Sequence, residues 1–327
     1  MKESGQEYLK IICVDDSDNI IGYLPLLYTK GLPMGLGGIL ASKRLSSLPR
    51  TPVGGPISKD VKATKKIIDY VLAKISNQKD ITLQIKSFSN EFNLIFPSLQ
   101  SIKWREGYFK ELPPLNKDIE FQNSKVKKEL HRIIRRASEN GIRVRSGSSL
   151  EDLRQWYKIY AQTMRYHATL TRSFEFFENL WNEFFPQKQL SLNLVEQYAN
   201  NELEILAGTI TFKYGYTTYG AFKGSRRDKL KYSINDILHY FELTQAQNEG
   251  YKIFDMGEVP RNHSGLEHYK KKWGMSNYSI YHYYYPKIDI VDDELDPGDA
   301  DSIKKNLWRG IPLPVTTLIG KTFYKRL

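Results

Sequence analysis

From Gly141 onward, apolar residues recur with strand period and helix period in one fixed order, β-α-α-β-β-β-α-β-α-β. Ile142–Arg145 reads as a short strand. Ser148 and Glu151 form a capping-box pair that opens a helix running to about Ala168. A second helix, dense in aromatics, covers Phe174–Phe185. Strands Leu190–Tyr198, Glu204–Lys213 and Tyr216–Phe222 follow, punctuated by Asn200-Asn201 and Tyr214-Gly215. A helix over Ser233–Glu249 turns Ile234, Ile237, Leu238, Phe241 and Ala246 inward. Strand Lys252–Met256, helix Gly265–Trp273 and strand Ser276–Tyr285 complete the set. Helices interleaved with strands in this way restrict the segment to an α/β (α+β) architecture with one mixed sheet.

The preceding part is shorter. Tyr8–Val14 and Ile20–Thr29 flank Asp15-Asp-Ser-Asp-Asn19 and read as a hairpin, with Pro25 predicting an edge or a bulge. A Gly/Pro/Ser-rich stretch, Lys30–Pro56, is expected to be a long loop; it holds no phosphate-binding G-x-x-x-x-G-K-[ST]. Val61, Ile67, Ile68, Val71, Leu72 and Ile75 form a helical stripe. Strand Ile81–Lys86, a short apolar segment at Phe92–Phe96 and strand Ser101–Leu112 follow. A basic helix is then expected from an N-cap at Ser124, with Val126, Leu130, Ile133, Ile134 and Ala137 inward and Gly141 as its stop. The chain's 327 residues suit about two domains. The boundaries expected are 1–120, 121–286 and an acidic linker with a basic tail over 287–327.

Net charge is +11, and the surplus concentrates in the basic helix and the strand after it. Lys125, Lys127, Lys128, Arg132, Arg135, Arg136, Arg143 and Arg145 stand there against Glu129 and Glu139 alone. A solvated helix face and an anion-binding face fit that run equally well. One cysteine, Cys13, excludes a disulfide framework and a thiolate metal site. No apolar run is long enough to span a bilayer and no signal peptide opens the sequence, so a cytoplasmic location is expected. The six histidines show no metal-ligand spacing, and G-x-S-x-G is absent, so no metal or serine-hydrolase centre is expected.

The last third carries a sharper pattern. Phe254-Asp255-Met256-Gly257 is followed by Gly265-Leu266-Glu-His-Tyr269-Lys270-Lys-Lys-Trp273-Gly274. This resembles the FemABX-like family of GNAT acyltransferases, in which Y-D-x-x-G precedes G-L-x-x-F-K-x-x-F-G. Tyr219-Gly220-Ala221, Asn235-Asp-Ile-Leu238, Ala137-Ser-Glu-Asn-Gly141 and Leu307-Trp-Arg-Gly-Ile-Pro312 extend the likeness over most of residues 120–327. The resemblance implies tandem GNAT-like (acyl-CoA N-acyltransferase) domains. The first is incomplete at its N-terminus, lacking the opening strand and two helices through truncation or degeneration. It also implies an aminoacyltransferase of peptidoglycan and cell-wall biosynthesis. Such an enzyme moves an aminoacyl group from aminoacyl-tRNA to a primary amine of a nucleotide- or lipid-linked, phosphate-bearing envelope precursor. Peripheral contact with the inner membrane surface and a monomeric or weakly dimeric state are in keeping with it.

Acyl transfer requires a neutral amine, a polarised carbonyl and stabilisation of the tetrahedral oxyanion. By the resemblance, Lys270 holds the position of the family's functional lysine, with a solvated basic turn as the bland alternative. Tyr269 replaces the usual Phe; its spacing from Asn262 matches the general-acid tyrosine of ordinary GNAT enzymes, and a core aromatic fits equally. Asp255, at a strand's C-terminal end, is expected to orient the acceptor amine or accept its proton, with a cap for the next segment as the bland alternative. Arg165 corresponds to an arginine that holds acceptor phosphates, although Thr169 stands where the family has an aromatic. Tyr219 and Asn235 are carried over as substrate-binding residues. Lys128, Arg132, Arg135, Arg136, Arg226 and Arg227 are the candidates for nucleic-acid or phosphate binding.

Gly224-Ser-Arg226-Arg227-Asp-Lys229-Leu-Lys231-Tyr-Ser233 lacks the R-x-x-G-x-G/A turn through which backbone amides approach the pyrophosphate of acyl-CoA. That absence agrees with the FemABX-like pattern, and the resemblance alone implies aminoacyl-tRNA as donor, with no permanently bound cofactor; the alternative is an acyl-CoA-dependent GNAT N-acetyltransferase acting on an amino sugar or other small amine. A second alternative is an inactive GNAT-like module that binds RNA or a membrane surface through its basic cluster and aromatics.

Overall fold

The computed structural model describes residues 7–31, 43–48, 51–78, 80–199, 202–288 and 302–324. Two compact units divide the chain. Unit 1 comprises Met1–Glu106, Tyr278–Ala300 and Thr322–Leu327, and unit 2 comprises Gly107–Asn277 and Asp301–Lys321. The expected boundaries ran sequentially, whereas the units interleave: the chain returns to unit 1 at Tyr278 and to unit 2 at Asp301.

In unit 1, β1 (Glu7–Val14) and β2 (Ile20–Thr29) form the expected hairpin. The other side of β2 pairs with β4 (Ile57–Ser58) through Gly22–Tyr23 and with β3 (Lys43–Ser46) through Leu27–Thr29. Pro25, which has no N–H to give, falls between those two segments. β3 lies inside the stretch expected to be loop. Its parallel pairing with β5 (Ile81–Ser87) makes it a strand, where four residues with no period of their own gave no signal. Residues 32–42 and 49–50 of that stretch lie outside the described residues. The helix α1 (Val61–Ile75), capped by the Asp60 side chain, buries Ile67, Ile68, Val71 and Ile75 against Leu24, Leu26, Leu83 and Ile85. A short helix α2 (Phe92–Ile95) adds Phe92. β12 (Ser276–Tyr285) pairs antiparallel with β5, and Tyr283 joins the same core. β6 (Gln100–Glu111) belongs to unit 1 through Glu106 and to unit 2 from Gly107.

Unit 2 opens with the basic helix α3 (Ser124–Glu139). Its N-cap is Asn123, whose side chain accepts from the Val126 N–H, rather than Ser124. Gly141 ends it at φ +67°, the left-handed conformation that glycine takes without strain. The next cap also sits one residue beyond the expected pair. Ser149 and Asp152, not Ser148 and Glu151, form the capping box of α4 (Leu150–Tyr166). The sheet then runs in the order β11-β10-β9-β8-β7, from β7 (Ile142–Gly147), β8 (Leu190–Ala199), β9 (Glu202–Tyr214), β10 (Thr217–Ser225) and β11 (Ile253–Val259). On one face, α4 and α5 (Phe174–Phe184) cover it with Trp156, Tyr160, Phe177 and Trp181. α6 (Ile234–Asn248) and α3 bury Ile234, Ile237, Leu238 and Ala137 in another core, with Val195 and Leu206 from the strands. Phe241, expected inward, is only partly buried, whereas Leu243 on the same helix is fully buried. α7 (Ser264–Lys272) packs Trp273 with Phe254 and Leu243.

The acidic linker at 289–301 lies outside the described residues. The basic tail beyond it forms two helices, α8 (Ser302–Gly310) and α9 (Leu313–Tyr324). No helix among the described residues is long and apolar enough to cross a membrane.

Candidate functional site

β10 and β11 are parallel neighbours for only three residue pairs, Thr217↔Ile253, Thr218↔Phe254 and Tyr219↔Asp255. Beyond them β10 stays paired with β9 as far as Ser225↔Ala207, while β11 departs. The two strands therefore open a wedge at the C-terminal ends of the parallel pair, where open sheets place their sites. A bulge between Gly220 and Phe222 leaves Ala221 unpaired with β9, re-aiming the β10 backbone at the start of the wedge.

β11's departure is held from both ends. Gly257 adopts φ +73°, and its N–H donates to Asp255 Oδ1 at 2.6 Å, so the Asp255 carboxylate caps the turn. The Tyr219 hydroxyl lies 3.3 Å from where a Gly257 Cβ would be. Burial, reinforced by Asp255 and Glu258, pushes the Tyr219 phenol up. From α7, Lys270 reaches the same turn. Its Nζ donates to the carbonyls of Met256 at 2.9 Å, Gly257 at 2.8 Å and Glu258 at 3.1 Å, and the residue is 3% exposed. An ammonium has three N–H donors, and all three are spent. Burial lowers its pKa to about 8.

The three consecutive lysines occupy three environments. Lys271 forms an exposed pair with Glu267, and Lys272 donates to Asp236 Oδ1 at 2.6 Å. Tyr269 packs in the core beside Trp273 and His239, its hydroxyl buried without a hydrogen-bond partner. Burial, then Asp236, raises its pKa well above the usual value.

Opposite Lys270, on β10, stands a group that the sequence reading missed. Lys223 Nζ lies 3.0 Å from His239 Nε2, His239 Nδ1 lies 2.9 Å from Glu242 Oε2, and Thr211 donates to Glu242 Oε1 at 3.3 Å. Burial pulls Lys223 to about 8 and, with Lys223 beside it, His239 to about 4. A neutral imidazole that accepts at Nε2 and donates from Nδ1 to Glu242 satisfies the whole chain. The available signal was a lysine inside an apolar strand, together with a His-x-x-Glu pair on the inward stripe of α6.

At the mouth of the wedge, Asn235 accepts from Ser225 Oγ at 2.6 Å, fixing the start of α6 to the end of β10. A 3-10 turn over Arg227–Tyr232 leads into Ser233, which is left-handed and provides no side-chain cap for α6. The C-terminal end of α4 lies there too. The Arg227 guanidinium sits 3.5 Å and that of Arg309 4.4 Å from the Tyr166 ring centroid, and Arg309 Nε donates to the Tyr166 carbonyl at 2.8 Å. Arg165 Nη1 makes a long contact with the Ile311 carbonyl at 3.4 Å. The tail thus supplies Arg309, which the sequence reading did not assign.

The remaining predicted cations are dispersed. Arg226 is engaged with Glu204 and Asp228 rather than open to a phosphate. Arg132 pairs with Glu129, and Arg135 with Glu139, along α3. Lys128 and Arg136 are exposed on that helix. Arg143 and Arg145 leave the basic run altogether to meet the buried Glu196, and Arg145 also binds Asp152. No group of three metal-ligating side chains occurs among the described residues.

Residues 124–271, from α3 into α7, match the family model for the acetyltransferase (GNAT) domain. A crystal structure of FemX is similar at 15% identity over 87% of this chain and 90% of that one, with a TM-score of 0.60. L-PGS from Bacillus licheniformis is similar at 14% identity over 98% and 90% of the two chains, with a TM-score of 0.58. The C-terminal domain (DUF2156) of a putative lysylphosphatidylglycerol synthetase from Agrobacterium fabrum shares 13% identity over 88% and 86%, with a TM-score of 0.57. No curated protein sequence matches this chain. At these identities the likeness fixes the fold, which is of the GNAT acyltransferase type.

Proposed function

We propose that this GNAT-type chain transfers an aminoacyl group to a primary amine on a phosphate-bearing envelope precursor, by direct attack and without a covalent enzyme intermediate. The observation that carries the reading is the wedge of β10 and β11, with Lys223 and His239 on one wall and Arg165, Arg227 and Arg309 at its mouth. In the reaction the neutral amine nitrogen bonds to the acyl carbon and the carbonyl π pair moves onto oxygen. Collapse returns that pair and expels the ester oxygen, and the amine's proton ends on the departing hydroxyl. The N–H of the bulged Ala221, which has no register partner on β9, is the backbone donor assigned to the oxyanion in this reading. Lys223, close to neutrality near pH 8, takes up the amine's proton and passes it on. Lys270 acts through the backbone it holds, as a positioning residue, rather than by touching the reacting atoms.

Two features support aminoacyl-tRNA over acyl-CoA as donor. The turn after β10 has no glycine pair for close approach of a pyrophosphate. The exposed face of α3, with Lys128 and Arg136, offers cations to a polyanion. The match to the acetyltransferase (GNAT) domain family favours acyl-CoA as the competing reading. Transfer assays with radiolabelled aminoacyl-tRNA and with acetyl-CoA, each against an amine-bearing sugar nucleotide, decide between them. Turnover with tRNA alone, and binding that weakens steeply between 50 and 200 mM salt by about one power of salt per phosphate contacted, is expected. Salt-insensitive turnover with acetyl-CoA would replace this reading by the runner-up.

A further inference from the structure

Arg44 lies on β3 in unit 1, paired through its backbone with Thr82 of β5 and Thr29 of β2, and is 4% exposed. Its side chain makes no hydrogen bond or ion pair among the described residues, and its Nε is buried without a partner. A buried guanidinium cannot discharge by losing its proton, so leaving it unpaired is among the costliest arrangements a fold can carry.

The surroundings are rich in donors. The charges acting on His282 are Lys86, Arg105 and Arg44, all positive, and together with burial they hold the imidazole well below its usual pKa. Trp104 stacks on that neutral ring at 4.4 Å, and the Arg105 guanidinium lies 4.9 Å from the indole. Lys86 is 4% exposed and is held by the carbonyls of Leu48 and Thr51. Gln84 and Tyr284 complete a hydrogen-bonded floor, Gln84 Nε2 donating to the Tyr284 hydroxyl at 2.9 Å and Ser46 Oγ to Gln84 Oε1 at 2.9 Å. Three cations therefore act on one neutral imidazole, and of the three it is Arg44 whose side chain meets no acceptor.

We propose that unit 1 carries a binding site for a phosphate-class oxyanion, with the Arg44 guanidinium as its centre and Arg105 and Lys86 beside it. A tetrahedral oxyanion offers several acceptors to a planar five-donor fork and neutralises the buried Arg44 charge, which a water molecule would not do. The site lies wholly within unit 1 and does not rest on the chemistry of the β10–β11 wedge.

The test uses the full chain. Thermal unfolding is followed with inorganic phosphate, with a soluble phosphomonoester and with phosphatidic-acid vesicles, against chloride at matched ionic strength. A rise of a few degrees at a hundredfold excess over Kd is expected for at least one. Phosphate or the monoester identifies a soluble ligand, and vesicles alone identify a headgroup. Arg44→Met should lose that rise while unfolding no earlier than the ligand-free wild type, because it removes a buried unpaired charge. An equal rise in Arg44→Met, or no rise in the wild type with any of the three, overturns the proposal. If Arg44→Met fails to fold, Arg44→Lys serves in its place, and undiminished phosphate stabilisation in that variant counts against the site as described.

Discussion

Lys270 Nζ lies 2.8 Å from the Gly257 carbonyl oxygen, the shortest of three bonds by which one buried ammonium holds the turn that parts β11 from β10. The wedge and the lysine are one device. The side chain that the sequence marks as catalytic is, in the fold, the brace of the site's shape.

Replacing Lys270 by Met should therefore act on stability as well as rate. It removes all three donors that the ammonium gives to the Met256, Gly257 and Glu258 carbonyls, and a loss of about 2–4 kcal/mol is expected from denaturant unfolding. kcat and KM should move together, because the geometry of the wedge relaxes. Lys271→Met, which removes only an exposed pair with Glu267, should be silent in both measurements. A pure kcat loss with unchanged unfolding would return Lys270 to direct transition-state stabilisation.

Lys223→Met should lower kcat by about 10²-fold or more, the range for removal of a general base. Burial lowers the Lys223 pKa to about 8, against the opposing influence of Glu242 and Asp236, with Lys272 adding to the decrease. Since the neutral amine is the active form, kcat/KM in the wild type should climb as pH rises through about 8 and level off above it. A pH–rate profile of the variant that kept this limb would assign it to another group.

His239 sets an acid limit on stability. Its ordinary value of 6.5 falls to about 4 in the fold, chiefly through burial and then through Lys223. Between those values the unfolded chain binds a proton that the folded chain does not. Stability is thus complete above pH 6.5 and declines as pH falls toward 4, with a slope of up to about 1.4 kcal/mol per pH unit. Urea unfolding across that window should show a shallower slope in His239→Gln than in the wild type.

Arg309→Ala and Arg227→Ala should each raise KM for a phosphate-bearing acceptor by roughly tenfold with little change in kcat, as for lost ground-state contacts. Arg226→Ala should leave KM unchanged, because Arg226 is occupied by Glu204 and Asp228. Steady-state kinetics with a phosphorylated acceptor and its dephosphorylated analogue separate the two outcomes. A tenfold effect at Arg226 with none at Arg309 would move the acceptor site away from the end of α4.

What the sequence by itself determined is the order of elements in unit 2. Strand and helix periods are written by residues that each face one core, such as Leu192 and Leu194 on β8 or Ile234 and Leu238 on α6. Local pattern settles local structure, down to a one-residue slip where Ser148 and Ser149 both qualify as caps and only the bond to Asp152 selects the second. Partnership decided the rest. β3 is a strand because β2 and β5 flank it. Lys270, Lys271 and Lys272 are the same residue three times, yet one is buried against carbonyls, one is solvated and one pairs with Asp236, according to where a helical turn points each side chain. The Lys223–His239–Glu242 chain joins two elements and Arg44 is buried without a partner, and no period records which side chain a buried charge will meet.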